Sequence, residues 1–203
     1  ILLDGYGVLV SRGYPDTEAV LSKRYGIPMK KLHAVLYTKY FNLAAERKIT
    51  QAEAWQKSID ELKLPITRTT LHQLHIGLFT SRTRELAFAR KLRKKYTVVM
   101  LSKNTRSQFA ATKKKLPVVW KSVDAAINTW EMGLPKASRE TIRVIAKRFR
   151  VRPDEILYVD DQADNLVAPQ GMGVHTFLYR NYRQFRRDVL RELRYTSNRR
   201  KDP

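Results

Sequence analysis

The chain has 203 residues, of which 40 are Lys or Arg and 19 are Asp or Glu, a formal net charge of +21. With 43% hydrophobic and 29% charged residues it has the composition of a globular chain with a sizeable core, which excludes a fibrous or disordered polypeptide and points to one domain with a small insert. Zero cysteines exclude a disulfide framework, Cys-ligated zinc and thiol catalysis, and fit a reducing intracellular compartment, cytoplasm or organelle matrix. No apolar run reaches the roughly 18 residues that cross a bilayer. The start on Ile1-Leu2-Leu3-Asp4, with no Met and no cleavage site, reads as a soluble chain whose first residues are missing.

Short apolar runs followed by polar residues and then a helical pattern recur along the chain, as in buried parallel strands. Ile1 to Leu3, Val98 to Leu101, Ile156 to Val159 and Val174 to Leu178 are the four main runs, with Val118-Val119-Trp120 and Ala126-Ile127 as further candidates. Helical stretches such as Thr83 to Lys95 and Ser138 to Arg150 lie between them, the alternation of a parallel α/β sheet. Pro15 to about Thr80 breaks the alternation: it holds no convincing strand but has helical periodicity around Leu21, Leu36 and Trp55. A helical insert after the first strand is therefore expected. Thr50 and Glu53 form a capping box that starts the helix through Trp55, and Pro65-Ile66-Thr67 is expected to end it.

In such sheets ligands sit beyond the carboxyl ends of the strands, so the polar residues there carry the chemistry. They are Asp4, Ser102, the pair Asp160-Asp161, and Lys136 before a helix. An Asp or Ser after a strand is often only a helix cap; here the constellation counts. Three carboxylates on one rim stay ionised together only beside a cation, and oxygen ligands without His suit Mg²⁺. A neighbouring Lys supplies charge for a phosphoryl group.

Leu3-Asp4-Gly5-Tyr6-Gly7-Val8-Leu9, Leu101-Ser102, Lys136 and Tyr158-Val159-Asp160-Asp161-Gln162-Ala163-Asp164-Asn165 resemble, in order and spacing, the four motifs of the haloacid dehalogenase-like superfamily. Trp130 to Lys136 and Pro153 to Gly173 are similar to its branch of small sugar-phosphate phosphatases and epoxide hydrolase phosphatase domains. The resemblance implies a Rossmann-like core of residues 1–13 and 81–203 with a helical cap at 14–80. It also implies a Mg²⁺-dependent phosphatase of a small phosphorylated metabolite. Asp4 would be the nucleophile that becomes a phosphoaspartate. Ser102, Lys103, Asn104 and Lys136 would surround the phosphate. Asp4, the Tyr6 carbonyl, Asp160 and Asp161 would hold the metal, with Asn165 orienting them.

Three positions depart from the phosphatase pattern. Tyr6 stands where an Asp usually protonates the leaving oxygen, and tyrosine is a poor base near neutral pH. Lys103 replaces the usual Asn, and Ala137 the usual Pro. Asp-x-Tyr-Gly is similar to the 2-haloacid dehalogenases, whereas Asp160 and Asp161 are not, since those metal-free enzymes carry small hydroxyl or amide residues there. Two alternatives therefore stand beside the phosphatase: a dehalogenase, and a catalytically impaired chain serving as a basic RNA-binding or ribonucleoprotein component. The second draws on the charge and on Lys91 to Lys95, Lys113 to Lys115, Lys147 to Arg150 and the tail Arg180 to Lys201, with Tyr179, Tyr182, Phe185 and Tyr195 interleaved. Tyr14, Tyr37, Tyr40, Phe41, His72 and His75 sketch an aromatic, partly polar lid, and Trp55, Trp120 and Trp130 read as core aromatics.

Overall fold

The computed structural model describes residues 1–199, with side chains described through Tyr195; Arg200 and Lys201 of the basic tail lie outside the described residues. Five parallel strands, β1 (Leu2–Asp4), β2 (Val99–Ser102), β3 (Ala125–Asn128), β4 (Leu157–Asp160) and β5 (His175–Leu178), form one sheet in the order β3-β2-β1-β4-β5. The order makes β1 central. Leu3 pairs with Met100 on one side and Val159 on the other, so the carboxyl ends of β1, β2 and β4 emerge side by side.

Alternation along the strands feeds two cores. Leu3, Met100 and Val159 face α6 (Thr83–Leu92) and α12 (Tyr182–Arg199), with Leu86, Phe88, Phe185 and Val189. Leu2, Val99, Leu101 and Tyr158 face α10 (Arg139–Phe149) and α11 (Asp164–Gln170), with Ile142, Ile145 and Leu166. This is a three-layer α/β sandwich.

Between β1 and β2 lie α1 (Tyr14–Tyr25), α2 (Met29–His33), a π-helical stretch Ala34–Phe41, α3 (Asn42–Ala45), α4 (Gln51–Leu62) and α5 (Arg68–Leu78). Their apolar faces form a third cluster with Leu21, Leu36, Trp55 and Leu71 at its centre. The expected capping box starts α4 in full: Thr50 Oγ1 accepts from Glu53 N, and Glu53 accepts from Thr50 N. The end differs from expectation. Lys63 turns left-handed at φ 52° and closes the helix before Pro65, while Thr67 caps α5 instead.

Val118-Val119-Trp120, expected as a strand, is helical in α8 (Pro117–Lys121), which follows α7 (Arg106–Lys115), while α9 (Thr129–Met132) comes directly after β3. Pro117 in the first turn preorganises a helix, and a three-residue apolar run carries no periodicity of its own. Two of the four aromatics interleaved in the basic tail differ from the RNA-stacking expectation. Phe185 and Tyr179 are buried, the latter donating from its hydroxyl to Glu85 Oε1 at 2.6 Å, so neither offers a ring face to a base. Among the described residues no helix is long and apolar enough to cross a membrane.

Candidate active site

Asp4 ends the central strand and is buried, and the chain then turns through Gly5 to Gly7, with Gly7 N donating to Val10 O at 2.9 Å. Lys136 reaches the same rim from the turn before α10, where Ser138 caps the helix and Thr141 Oγ1 holds Pro135 O at 2.8 Å. The Lys136 ammonium donates to Asp4 Oδ1 and lies 2.7 Å from Asp160 Oδ2. All three groups are buried. Burial opposes the charge on Lys136, but the carboxylates outweigh it and hold its pKa well above the ordinary value. Burial pushes Asp4 well up despite Lys136, with Asp160 and Asp161 adding to the rise. Burial also raises Asp160, but Lys136 and its hydrogen bonds prevail and hold it down.

The two acidic neighbours divide the work. Asp160 is saturated: Oδ2 accepts from Tyr158 Oη at 2.5 Å as well as Lys136, and Oδ1 from Gln162 N at 2.9 Å and Asn165 Nδ2 at 3.0 Å. Asn165 thus orients Asp160, and Asp160 orients Lys136. Asp161 keeps Oδ1 buried without a partner, and Asp4 keeps Oδ2 likewise. One oxygen from each of Asp4, Asp160 and Asp161 falls within 4.8 Å of the others. Two orphaned buried carboxylate oxygens among oxygen-only donors fit Mg²⁺. Asp4 and Asp161 have the free ligand atoms, while those of Asp160 are occupied.

Ser102, Lys103 and Asn104 follow β2 beside them. Ser102 is fully buried with an unpartnered Oγ. Asn104 is held in place, its N donating to Asn128 Oδ1 at 3.1 Å and its Oδ1 accepting from Thr105 N at 2.9 Å. Tyr6 packs edge-on against Phe79 at 5.2 Å with its hydroxyl buried and unpartnered, and burial drives its pKa far above that of a free phenol. It cannot serve as a base near neutral pH.

One cleft joins Asp4, Ser102, Lys103 and Lys136 to Tyr14, Tyr37 and Phe41 of the helical insert. Of the expected lid residues, Tyr40 instead donates to Glu61 on the surface and His75 sits behind the wall, fully buried between Thr17 and Gln108. Trp130 is not a core aromatic: it is half-buried, the guanidiniums of Arg47 and Arg106 lie 4.6 and 4.7 Å from its ring centroid, and its Nε1 donates to Ala44 O at 3.1 Å. Four cleft residues lie outside the expected set: Arg12, Phe79, Gln108 and Gln162. Arg12 lies 3.5 Å from Asp161 Oδ2, and Gln162 follows the acidic pair. Arg12 sits in an irregular loop where no periodicity could mark it; Gln162 was signalled only by adjacency.

No family model and no curated protein matches the sequence. Solved structures do. A predicted HAD-like family hydrolase from Porphyromonas gingivalis superposes with a TM-score of 0.72 at 19% identity, covering 95% of this chain and 96% of the other. The magnesium complex of a HAD family enzyme from Bacteroides thetaiotaomicron gives 0.70 at 20% identity over 88% of this chain and 91% of that one. L-2-haloacid dehalogenase from Xanthobacter autotrophicus, with chloropropionic acid covalently bound, gives 0.64 at 15% identity over 86% and 74%. Strand order, site position and these superpositions together establish that the chain has the haloacid dehalogenase-like (HAD-like) hydrolase fold.

Proposed function

We propose that the chain is a Mg²⁺-dependent phosphomonoesterase that works through a phosphoaspartate at Asp4, with residues 14–80 as a cap over a core of 1–13 and 81–203. The observation that carries the reading is the pair of unpartnered buried oxygens, Asp4 Oδ2 and Asp161 Oδ1, beside a lysine already committed to Asp4. Bound there, the metal would neutralise the phosphoryl oxygens. Asp4 attacks phosphorus, the bond to the leaving oxygen breaks, and the Ser102 hydroxyl donates to a phosphoryl oxygen. Lys136, held by Asp160, stabilises the negative charge that passes from Asp4 to the phosphoryl and leaving oxygens as the new bond forms. Tyr6, its phenol pKa pushed far up by burial, is a weak proton donor to the leaving group and supplies no base for the water that must later open the acyl phosphate.

The test is phosphate release with Mg²⁺ from an aryl phosphate with a good leaving group and from an alkyl phosphate. The aryl ester is turned over and the alkyl ester lags by about 10²–10⁴-fold, the usual worth of acid–base catalysis. Release that survives Asp4→Asn would overturn the assignment. A dehalogenase reading is favoured by Tyr6 and by the ring-lined cleft of Tyr14, Tyr37, Phe41 and Phe79; it requires halide release from 2-chloropropionate that ignores chelator. Silence in both assays would turn attention to RNA, because the lysines of Lys113 to Lys115 and those at Lys91, Lys94 and Lys95 are exposed. RNA affinity should then fall steeply with salt.

A further inference from the structure

Lys103, expected beside the phosphate, is a cleft cation that none of the ion pairs of the site engages. Lys136 is engaged by Asp4 and Asp160, and Arg12 lies beside Asp161. Lys103 pairs with no carboxylate among the described residues; its single acceptor is Asn42 Oδ1 at 3.0 Å. That amide is fixed, because Asn42 Nδ2 donates to Thr38 O at 2.9 Å and so turns Oδ1 toward the lysine. The ammonium lies 5.6 Å from the ring centroid of Tyr37 and 5.8 Å from that of Phe41. Those two rings, four residues apart on one face of the π-helical Ala34–Phe41 stretch, stack at 5.3 Å. The stem is half-buried and the site's own charge works against it: burial and Lys136 both depress the Lys103 pKa.

A partly desolvated ammonium with one neutral acceptor has two N–H bonds without a hydrogen-bond acceptor, in a cleft that Ser102 and Lys136 also line. We propose that Lys103 binds a second anionic group of the substrate, so that the enzyme acts on small phosphomonoesters that also carry a carboxylate or a second phosphate. The phosphoryl group sits between Ser102 and Lys136, and the second anion caps Lys103, whose position the stacked Tyr37–Phe41 pair and Asn42 fix from the side of the helical insert. The inference rests on the phosphatase reading.

Calorimetry with Mg²⁺ and the non-hydrolysable probes phenylphosphonate and carboxyphenylphosphonate, the latter with its carboxylate meta or para, tests it on the intact chain. The better carboxylated probe binds about 10- to 100-fold tighter to the wild type, the worth of a hydrogen bond to a charged group. Lys103→Asn collapses that ratio toward one, and Lys103→Arg keeps part of it. Lys94→Asn, which removes one exposed charge from the same strongly basic chain, leaves the ratio intact. Equal binding of phenylphosphonate and both carboxylated probes by the wild type would sink the inference while leaving the phosphatase reading standing, and so would equal losses in Lys103→Asn and Lys94→Asn. If neither type of phosphonate binds, the phosphate site itself falls and takes the inference with it.

Discussion

The backbone of Gly7 runs directly against the carboxylate of Asp161: a Cβ built on Gly7 would overlap both oxygens of that side chain. Gly7 also sits at φ +127°, a conformation costly for any residue with a Cβ. The absent side chain thus makes room for the carboxylate with a free buried oxygen. Gly7→Ala should displace Asp161 and weaken Mg²⁺ binding by about 10–100-fold, the range seen when the groups that orient a metal ligand are disturbed. Titration calorimetry reads this directly. Unchanged affinity in a folded Gly7→Ala variant would mean that Asp161 holds no metal.

Lys136 is the electrostatic keystone of a buried acidic cluster, so Lys136→Met should cost about 3–5 kcal/mol by leaving Asp4 and Asp160 facing each other unpaired. The pH dependence has a definite sign. Without the lysine the two carboxylates hold a proton more tightly folded than unfolded, so the folded state binds more protons and stability rises as pH falls. Chemical denaturation without Mg²⁺ at pH 7 and pH 5 should show the variant recovering part of its loss at the lower pH. An equal deficit at both would argue that the carboxylates do not share a proton.

These two devices were unequally legible in the sequence. Asp4, Ser102, Lys136 and Asp160-Asp161 follow apolar runs at strand ends, and strand ends in a parallel sheet converge, so their meeting was readable. The division of labour between Asp160 and Asp161 was not. It depends on which carboxylate the Tyr158 hydroxyl, Gln162 N and Asn165 amide reach, and adjacent residues at a strand end point to opposite sides. The helical insert was readable from its periodicity. Its π-helical turn was not, because a 3.6-residue pattern and a wider turn place the same apolar residues inward over one or two turns. The burial of His75, expected in the lid, was unreadable for a different reason, since a sequence records a histidine and not the Thr17 and Gln108 side chains that close over it.

Tyr6 should divide the reaction in time. With no base to activate water, hydrolysis of the acyl phosphate is slow while its formation from a good leaving group is not. Rapid mixing with an aryl phosphate should give a burst of phenol close to one equivalent of enzyme, and intact mass should show one added phosphoryl group that is absent from Asp4→Asn. Tyr6→Asp should raise steady-state turnover by at least about 10²-fold. A linear progress curve with no phosphorylated protein would show that Tyr6 does not limit the second step.

His75 makes the fold acid-sensitive. The Thr17 hydroxyl donates to Gly13 O and so accepts from His75 Nδ1, while Gln108 Nε2 donates to His75 Nε2; both ring nitrogens are satisfied in the neutral form. Tyr14, Trp55 and Phe79 enclose the ring at centroid distances of 4.5 to 5.1 Å. Burial, helped by His72, pushes the pKa down from 6.5 to about 3. Between those values the unfolded chain takes up a proton that the folded chain refuses. The contribution is therefore complete above pH 6.5 and is lost as pH falls toward 3, by an amount on the order of 4–5 kcal/mol. Gln can keep one hydrogen bond without the charge, so His75→Gln should lose some stability at pH 7 and yet show a shallower decline between pH 6.5 and 4 than the wild type. Parallel declines in urea-unfolding free energy would show that the histidine is protonated in the folded state and that the enclosing rings do not exclude its charge.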